Sequence, residues 1–287
     1  MLALLSGCGA PALEVAAEDP APLLRAQAEA ALRRYDVAVE AAGGSQRFVP
    51  VGDQTGVIGE FEPAFGDNAK MALGNGYLEA TGPLPGPPAT AGEVVWENGT
   101  REKVELLSAE TALARIGRAE CPECTPLKIT GARLGSARVD TTRGPASAPV
   151  WEYTIKGTSA RLTRPAADGT VRMVPPSWNP DDPPGGPALD SASTAIGSRE
   201  LTVAFIGAPG TAAEPCGADY TGAAVESASA VVVYVLAEHH RGPAGENVVC
   251  PAIGASRTVT VTLTEPLGDR AVLEVQQGTP VAVAITP

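Results

Sequence analysis

Over one long stretch of the chain, apolar positions recur every three to four residues. From Pro20 to Ala42, the residues Leu24, Ala28, Ala31, Tyr35 and Val39 form a single stripe, the signature of an amphipathic helix. Asp19-Pro20 offers an N-cap followed by proline at the first helical position. Arg25, Glu29 and Arg33 sit four apart on another face, and Gly43-Gly44 stops the helix. Beyond it the period shortens to two. Asn75-Gly76 and Asn98-Gly99 each separate two short apolar runs, and Asn-Gly predicts a tight hairpin because both turn positions need positive φ. Ser108 is placed to cap a short helix, Ala109 to Ile116, ended by Gly117. Strands are predicted at Leu127–Thr130, Ala132–Thr141 and Val150–Ile155, the last with Trp151, Tyr153 and Ile155 on one face.

From Val174 to Pro187 the pattern breaks. VPPSWNPDDPPGGP cannot supply the backbone N–H groups of a helix or sheet, so 174–198 reads as an interdomain linker or long ordered loop, pinned by Trp178. Strands then resume at Leu201–Ile206, at the β-branched run Ser229–Leu236, at Thr258–Leu263, at Ala271–Val275 and at Val281–Ile285. The last three are predicted to form an antiparallel meander. The fold class that follows is α+β, mostly β, with two antiparallel β-rich domains. The first, 20–173, carries the amphipathic helix, and the second, 199–287, is sandwich-like.

Composition narrows the function classes. A length of 287 residues suits two domains. The net charge of −12 disfavours nucleic acid, which selects clustered Lys and Arg. The same charge disfavours electrostatic adhesion to anionic lipid. The 17 Arg against 4 Lys, with abundant Ala, Gly and Pro, reflect a high-GC genome. No run reaches the roughly 18 apolar residues of a spanning helix.

The N-terminus carries the clearest address. Leu5-Ser6-Gly7-Cys8, behind the apolar run Leu2–Leu5, looks like a bacterial lipobox, in which the cysteine is lipid-modified and becomes the mature first residue. Residues 1–8 then end the signal and 9–19 form a tether. A complete export signal has a basic n-region and about 7–15 apolar residues. Seven residues precede Cys8 and none is basic, so the reading expects further in-frame sequence upstream of Met1. Four more cysteines remain, Cys121, Cys124, Cys216 and Cys250. An even number in an exported protein reads as two disulfides with three possible connectivities, of which the sequence-local pairing, Cys121–Cys124 and Cys216–Cys250, is expected. A strand between Cys216 and Cys250 is too long for one bridge to span, so the chain must fold back, and Gly242-Pro243 is the expected place.

Catalytic motifs are sparse. In Cys121-Pro-Glu-Cys124 a redox centre would need the first cysteine at a helix start, yet Thr125-Pro126 and a strand follow. His239 and His240 are the only histidines; neighbours on a strand point to opposite faces, which does not suit a shared metal, and no G-x-S-x-G elbow accompanies them for a triad. Gly207-Ala-Pro-Gly210 lacks the Lys of a phosphate loop, and Asp181-Asp182 reads as solvation of the Pro-rich segment. No catalytic residue, metal ligand or cofactor site is assigned.

Two groups of residues carry a family likeness. Cys121 to Trp151, with Pro126-Leu127, Gly131-Ala-Arg-Leu134, Thr142-Arg-Gly144 and Pro149-Val-Trp151, resembles a segment of secreted lipoproteins of high-GC Gram-positive bacteria. Cys216, Asp219-Tyr220, Glu226-Ser227, Cys250, Arg257 and Pro266–Arg270 are similar to the C-terminal part of the same proteins. The likeness covers about half the chain. It implies export, a disulfide-bonded envelope domain and no particular activity. The expectation is a lipid-anchored module at the extracytoplasmic face of the cell membrane, binding or scaffolding an envelope protein or polysaccharide. A hydrolase using His239 or His240, or a thiol–disulfide protein, stands as the alternative.

Overall fold

The computed structural model describes residues 20–52, 54–62, 66–117, 119–168, 171, 173, 176, 185–242 and 249–287. The expectations for Cys8, the tether, Asp19, Trp178, Asp181-Asp182 and Pro243 fall outside them. In chain order the elements are α1 (Ala21–Ala41), β1 (Gly56–Ile58), α2 (Gly66–Gly74), β2 (Leu78–Ala80), β3 (Gly92–Trp96), β4 (Arg101–Val104) and α3 (Ala109–Ala114). They continue with β5 (Leu127–Val139), β6 (Ala146–Ile155), β7 (Arg161–Pro165), β8 (Leu189–Ala195), β9 (Glu200–Gly207) and β10 (Ala218–Glu226). The last four are β11 (Ala230–His239), β12 (Ala255–Thr262), β13 (Ala271–Glu274) and β14 (Val283–Thr286). The fold is α+β and mostly β.

Strands β1 to β7 share one sheet around β6, which pairs with β5 along one edge and with β7 and β3 along the other. Trp151, Tyr153 and Ile155 point from β6 into a core that α2 and α3 cover with Ala72, Ala109 and Ala112. Asn98-Gly99 forms the expected β3–β4 hairpin, with Gly99 at φ +86°. Asn75-Gly76 does not form one. It terminates α2, where Gly76 takes φ +64° and the Asn75 amide donates to the Met71 carbonyl at 2.8 Å. A positive-φ glycine is as much a helix stop as a hairpin turn, and the buried Ala69 and Ala72 decide for the helix. Ser108 caps α3, accepting the Thr111 N–H at 3.0 Å.

The C-terminal half is two sheets packed face to face. Order β12-β9-β8-β14 forms one and β10-β11-β13 the other, with Val203, Phe205, Val231, Val233, Val259 and Val272 in the shared core. The β-branched run of β11 is buried on both faces. Val231, Val233 and Val235 face the sandwich core, while Val232 and Tyr234 face a second core made with α1. A strand covered on both sides reads as continuous apolar sequence rather than alternation.

Three expectations change here. Helix α1 packs on the C-terminal sheet, through Leu24, Ala28, Ala31, Leu32, Tyr35 and Val39, and not on the strands that follow it in sequence. Its cap position is Pro20, with no side-chain cap. Residues 189–195, inside the expected linker, form β8 in the middle of a sheet; LDSASTA has small, mostly polar residues and only Leu189 and Ala192 buried, too weak a pattern to announce a strand. The predicted C-terminal meander is absent: β12, β13 and β14 are divided between the two sheets, and β13 and β14 pair in parallel with β11 and β8. Their alternation specified which face is buried, but pairing is decided by the topology of the turns between them.

The halves are fastened together. Arg143 lies over the Trp96 ring at 5.1 Å and reaches Asp269 at 3.0 Å, so one guanidinium joins the N-terminal sheet to the loop before β13. The Trp96 Nε1–H donates to Thr141 Oγ1 at 3.0 Å, fixing the Thr141–Gly144 turn that carries Arg143. At the other contact, Asp36 of α1 accepts the hydroxyls of Ser227 and Ser229 in the β10–β11 turn.

Candidate binding cleft

Where the two halves meet there is a cleft of about 960 Å³, within the size range of small-molecule sites. One wall comes from the Val49–Gly52 segment, Gln54, Arg115, Asp140 and Arg164; the other from Leu189, Asp190 and the Thr279–Ala282 segment. The apolar share of the lining includes Val49, Val51, Val171, Met173, Leu189 and Val281. Local structure fixes the first wall. The Val51 N–H donates to the Asp140 carbonyl at 2.9 Å and the Thr142 N–H to the Val49 carbonyl at 3.1 Å, holding residues 49–51 beside the end of β5.

The cleft's charges differ in how far they are engaged. Glu274 is 6% exposed and its carboxylate accepts the N–H groups of Gln276 and Gln277 at 2.7 and 2.6 Å, so it organises its own turn. The Arg115 guanidinium pairs with Asp168 at 2.9 Å, and Arg164 donates to Thr55 Oγ1 at 3.2 Å. Asp140 and Asp190 are exposed. Apolar walls with a few fixed polar groups are the usual make-up of a ligand-binding site.

The residues singled out from sequence lie elsewhere. Cys121 and Cys124 are bonded to each other, and so are Cys216 and Cys250; the sequence-local pairing is the one formed. The Cys121–Cys124 bond sits in the loop before β5, with the Cys121 N–H donating to the Tyr77 hydroxyl at 3.3 Å. No helix starts there to depress a thiol pKa. The fold-back between Cys216 and Cys250 is the turn at Ser227–Ser229, because β10 runs antiparallel to β11 and sets Ala218 opposite His239. Gly242-Pro243 is not needed for it. His239 ends β11 exposed, and His240 Nδ1 lies 2.8 Å from the Ala212 carbonyl. The two histidines do not converge on the cleft, and among the described residues no cluster of His, Cys, Asp and Glu could hold a metal ion. Nor is any described helix long and apolar enough to cross a membrane.

No protein-family model, curated protein or solved structure matches this chain. The cleft was invisible in the sequence: Gln54, Arg115, Arg164, Asp190 and Val281 lie in separate segments, and no motif links them.

Proposed function

We propose that this chain is a lipid-anchored protein of the cell envelope, held at the extracytoplasmic face through Cys8, that binds an envelope protein or polysaccharide without transforming it. The cleft between the two halves carries this reading. It is a concave surface with mixed apolar and polar lining, its carboxylates Asp140 and Asp190 are exposed, and neither His239 nor His240 lines it. The Cys216–Cys250 bond favours an oxidising compartment, and the Leu5–Cys8 motif supplies the anchor.

Two measurements test it. Cells fed a palmitate analogue are expected to label the wild-type chain and not Cys8→Ala; equal labelling of both, or of neither, overturns the anchor. A photo-cross-linking amino acid at Gln54, inside the cleft, is expected to trap a discrete envelope component in cells, whereas the same probe at Ile196 traps none. Identical patterns from both positions remove the cleft as the binding site.

A further inference from the structure

One end of the sandwich is apolar and exposed. Val249, Cys250, Pro251, Ala252, Ile253 and Gly254 are six consecutive exposed residues without a charge. Val249 is 92% exposed, Ile253 62% and Ile206 56%. They form one surface: a Cβ placed on Gly254 would meet Ile206 Cγ2 at 2.3 Å, so the 249–254 loop lies against the end of β9. The Cys216–Cys250 bond pins that loop to the start of β10. Beside it, Ala208 and Pro209 line a shallow pocket together with Cys250, Pro251 and Ile253, and extend the uncharged surface. A soluble face that shows its aliphatic side chains to water on a stiffened loop is built to be covered.

The position of the chain's N-terminal end says by what. Pro20, the first described residue, lines a pocket together with Ile206, Tyr220 and His239. The polypeptide leading back to Cys8 therefore joins the described residues at this same end. Twelve residue steps separate Cys8 from Pro20, a reach of about 40 Å at full extension. A bilayer holding an acylated Cys8 is thus always within reach of this end of the molecule. Tethering raises the effective concentration of the surface for the patch, so a few aliphatic side chains that could not recruit a free protein suffice to orient a tethered one.

We infer that Val249, Ile253 and Ile206 form a membrane-facing tip that seats the tethered protein on the lipid surface. This rests on the Cys8 anchor proposed above. The local charges fit contact with headgroups better than the whole chain does: Arg241 and Arg257 lie at this end with Glu214, Asp219 and Glu238, two positive against three negative charges in a protein of net charge −12.

The experiment separates the tip from the anchor. Both disulfides being formed, Cys8 is the remaining cysteine, and the full chain can be coupled through it to a maleimide phospholipid in phosphatidylcholine vesicles. Acylation in cells is then irrelevant to the readout, and the palmitate label judges it alone. With brominated acyl chains, quenching of the tryptophan in Val249→Trp is expected to exceed that in Ile196→Trp at least twofold. Ile196 is 67% exposed but lies before β9, roughly 20 Å from Ile206 along that strand. Adding Ile206→Asp and Ile253→Asp is expected to abolish the difference while leaving the circular dichroism spectrum unchanged. Equal quenching at both positions, or stronger quenching at 196, overturns the inference. So does a concentration-dependent dimer of the uncoupled chain in sedimentation that Ile253→Asp dissolves, since the patch would then belong to a second copy.

Discussion

Glu226 shows how a single residue is committed to structure. At the end of β10 its carboxylate accepts hydrogen bonds from the Thr264 N–H at 2.8 Å and the Arg270 guanidinium at 2.7 Å, tying β10 to both ends of the β12–β13 loop. Burial alone would raise its pKa, but the hydrogen bonds from Arg270 and Thr264 outweigh burial and hold it below the ordinary carboxylate value. A carboxyl with a lowered folded-state pKa stabilises the fold at pH above its unfolded value of about 4.3, and that stabilisation is lost as pH falls through the folded value. Urea midpoints measured between pH 7 and pH 3 are expected to fall with pH, and the Glu226→Gln protein is expected to start lower by about 1.5–3 kcal/mol and to show a flatter fall. An unchanged slope in Glu226→Gln would assign the acid sensitivity to other carboxylates. In the sequence Glu226 and Arg270 stood out only as parts of a family likeness that assigns them no role; that Glu226 pairs with Thr264 and Arg270, 38 and 44 positions away, was not readable.

Among the elements, α1 is the one whose existence was plain and whose place was not. Periodicity identifies a buried stripe but says nothing of what buries it. The continuous apolar run of β11 gave the complementary hint, that something covers both faces of that strand, and α1 is that cover. The fit is close at the turn after β13. Gly278 takes φ +71°, and a Cβ there would meet the Ala31 Cβ at 2.9 Å. Gly278→Ala is therefore expected to combine backbone strain with displacement of the helix, a loss of about 1–3 kcal/mol in guanidinium unfolding. Gly268→Ala, at φ +58° with only the Pro266 carbonyl at 3.9 Å, is expected to cost less. If the two cost the same, contact with α1 contributes nothing.

For the whole molecule, the disulfides divide unequally. The Cys216–Cys250 bond closes a loop with a sequence separation of 34 and the Cys121–Cys124 bond one of 3. In the chain-entropy picture these stabilise by about 4 and about 2 kcal/mol. Removing the first pair as Cys216→Ala/Cys250→Ala is expected to lower stability more than removing the second, in denaturant melts of otherwise oxidised protein. A larger loss from Cys121→Ala/Cys124→Ala would show that local packing around that turn outweighs loop closure. Arg143, clamped between Trp96 and Asp269, joins the halves so that the cleft between them has fixed walls.

What the sequence alone determined was local: the stripe of α1, the Asn98-Gly99 hairpin, the Ser108 cap, the buried face of β6, the mostly β character and the nearest-neighbour pairing of cysteines. Apart from the Cys216–Cys250 bond, which encloses β10 and β11, each depends on residues within about one turn or one loop of each other. The tertiary structure alone decided which sheet α1 covers, that Asn75-Gly76 ends a helix, that LDSASTA is a central strand, and how β12, β13 and β14 are distributed. It also assembled the cleft and the apolar tip. These are pairings between distant segments, selected by how well whole faces pack together, and no local pattern encodes which face will meet which.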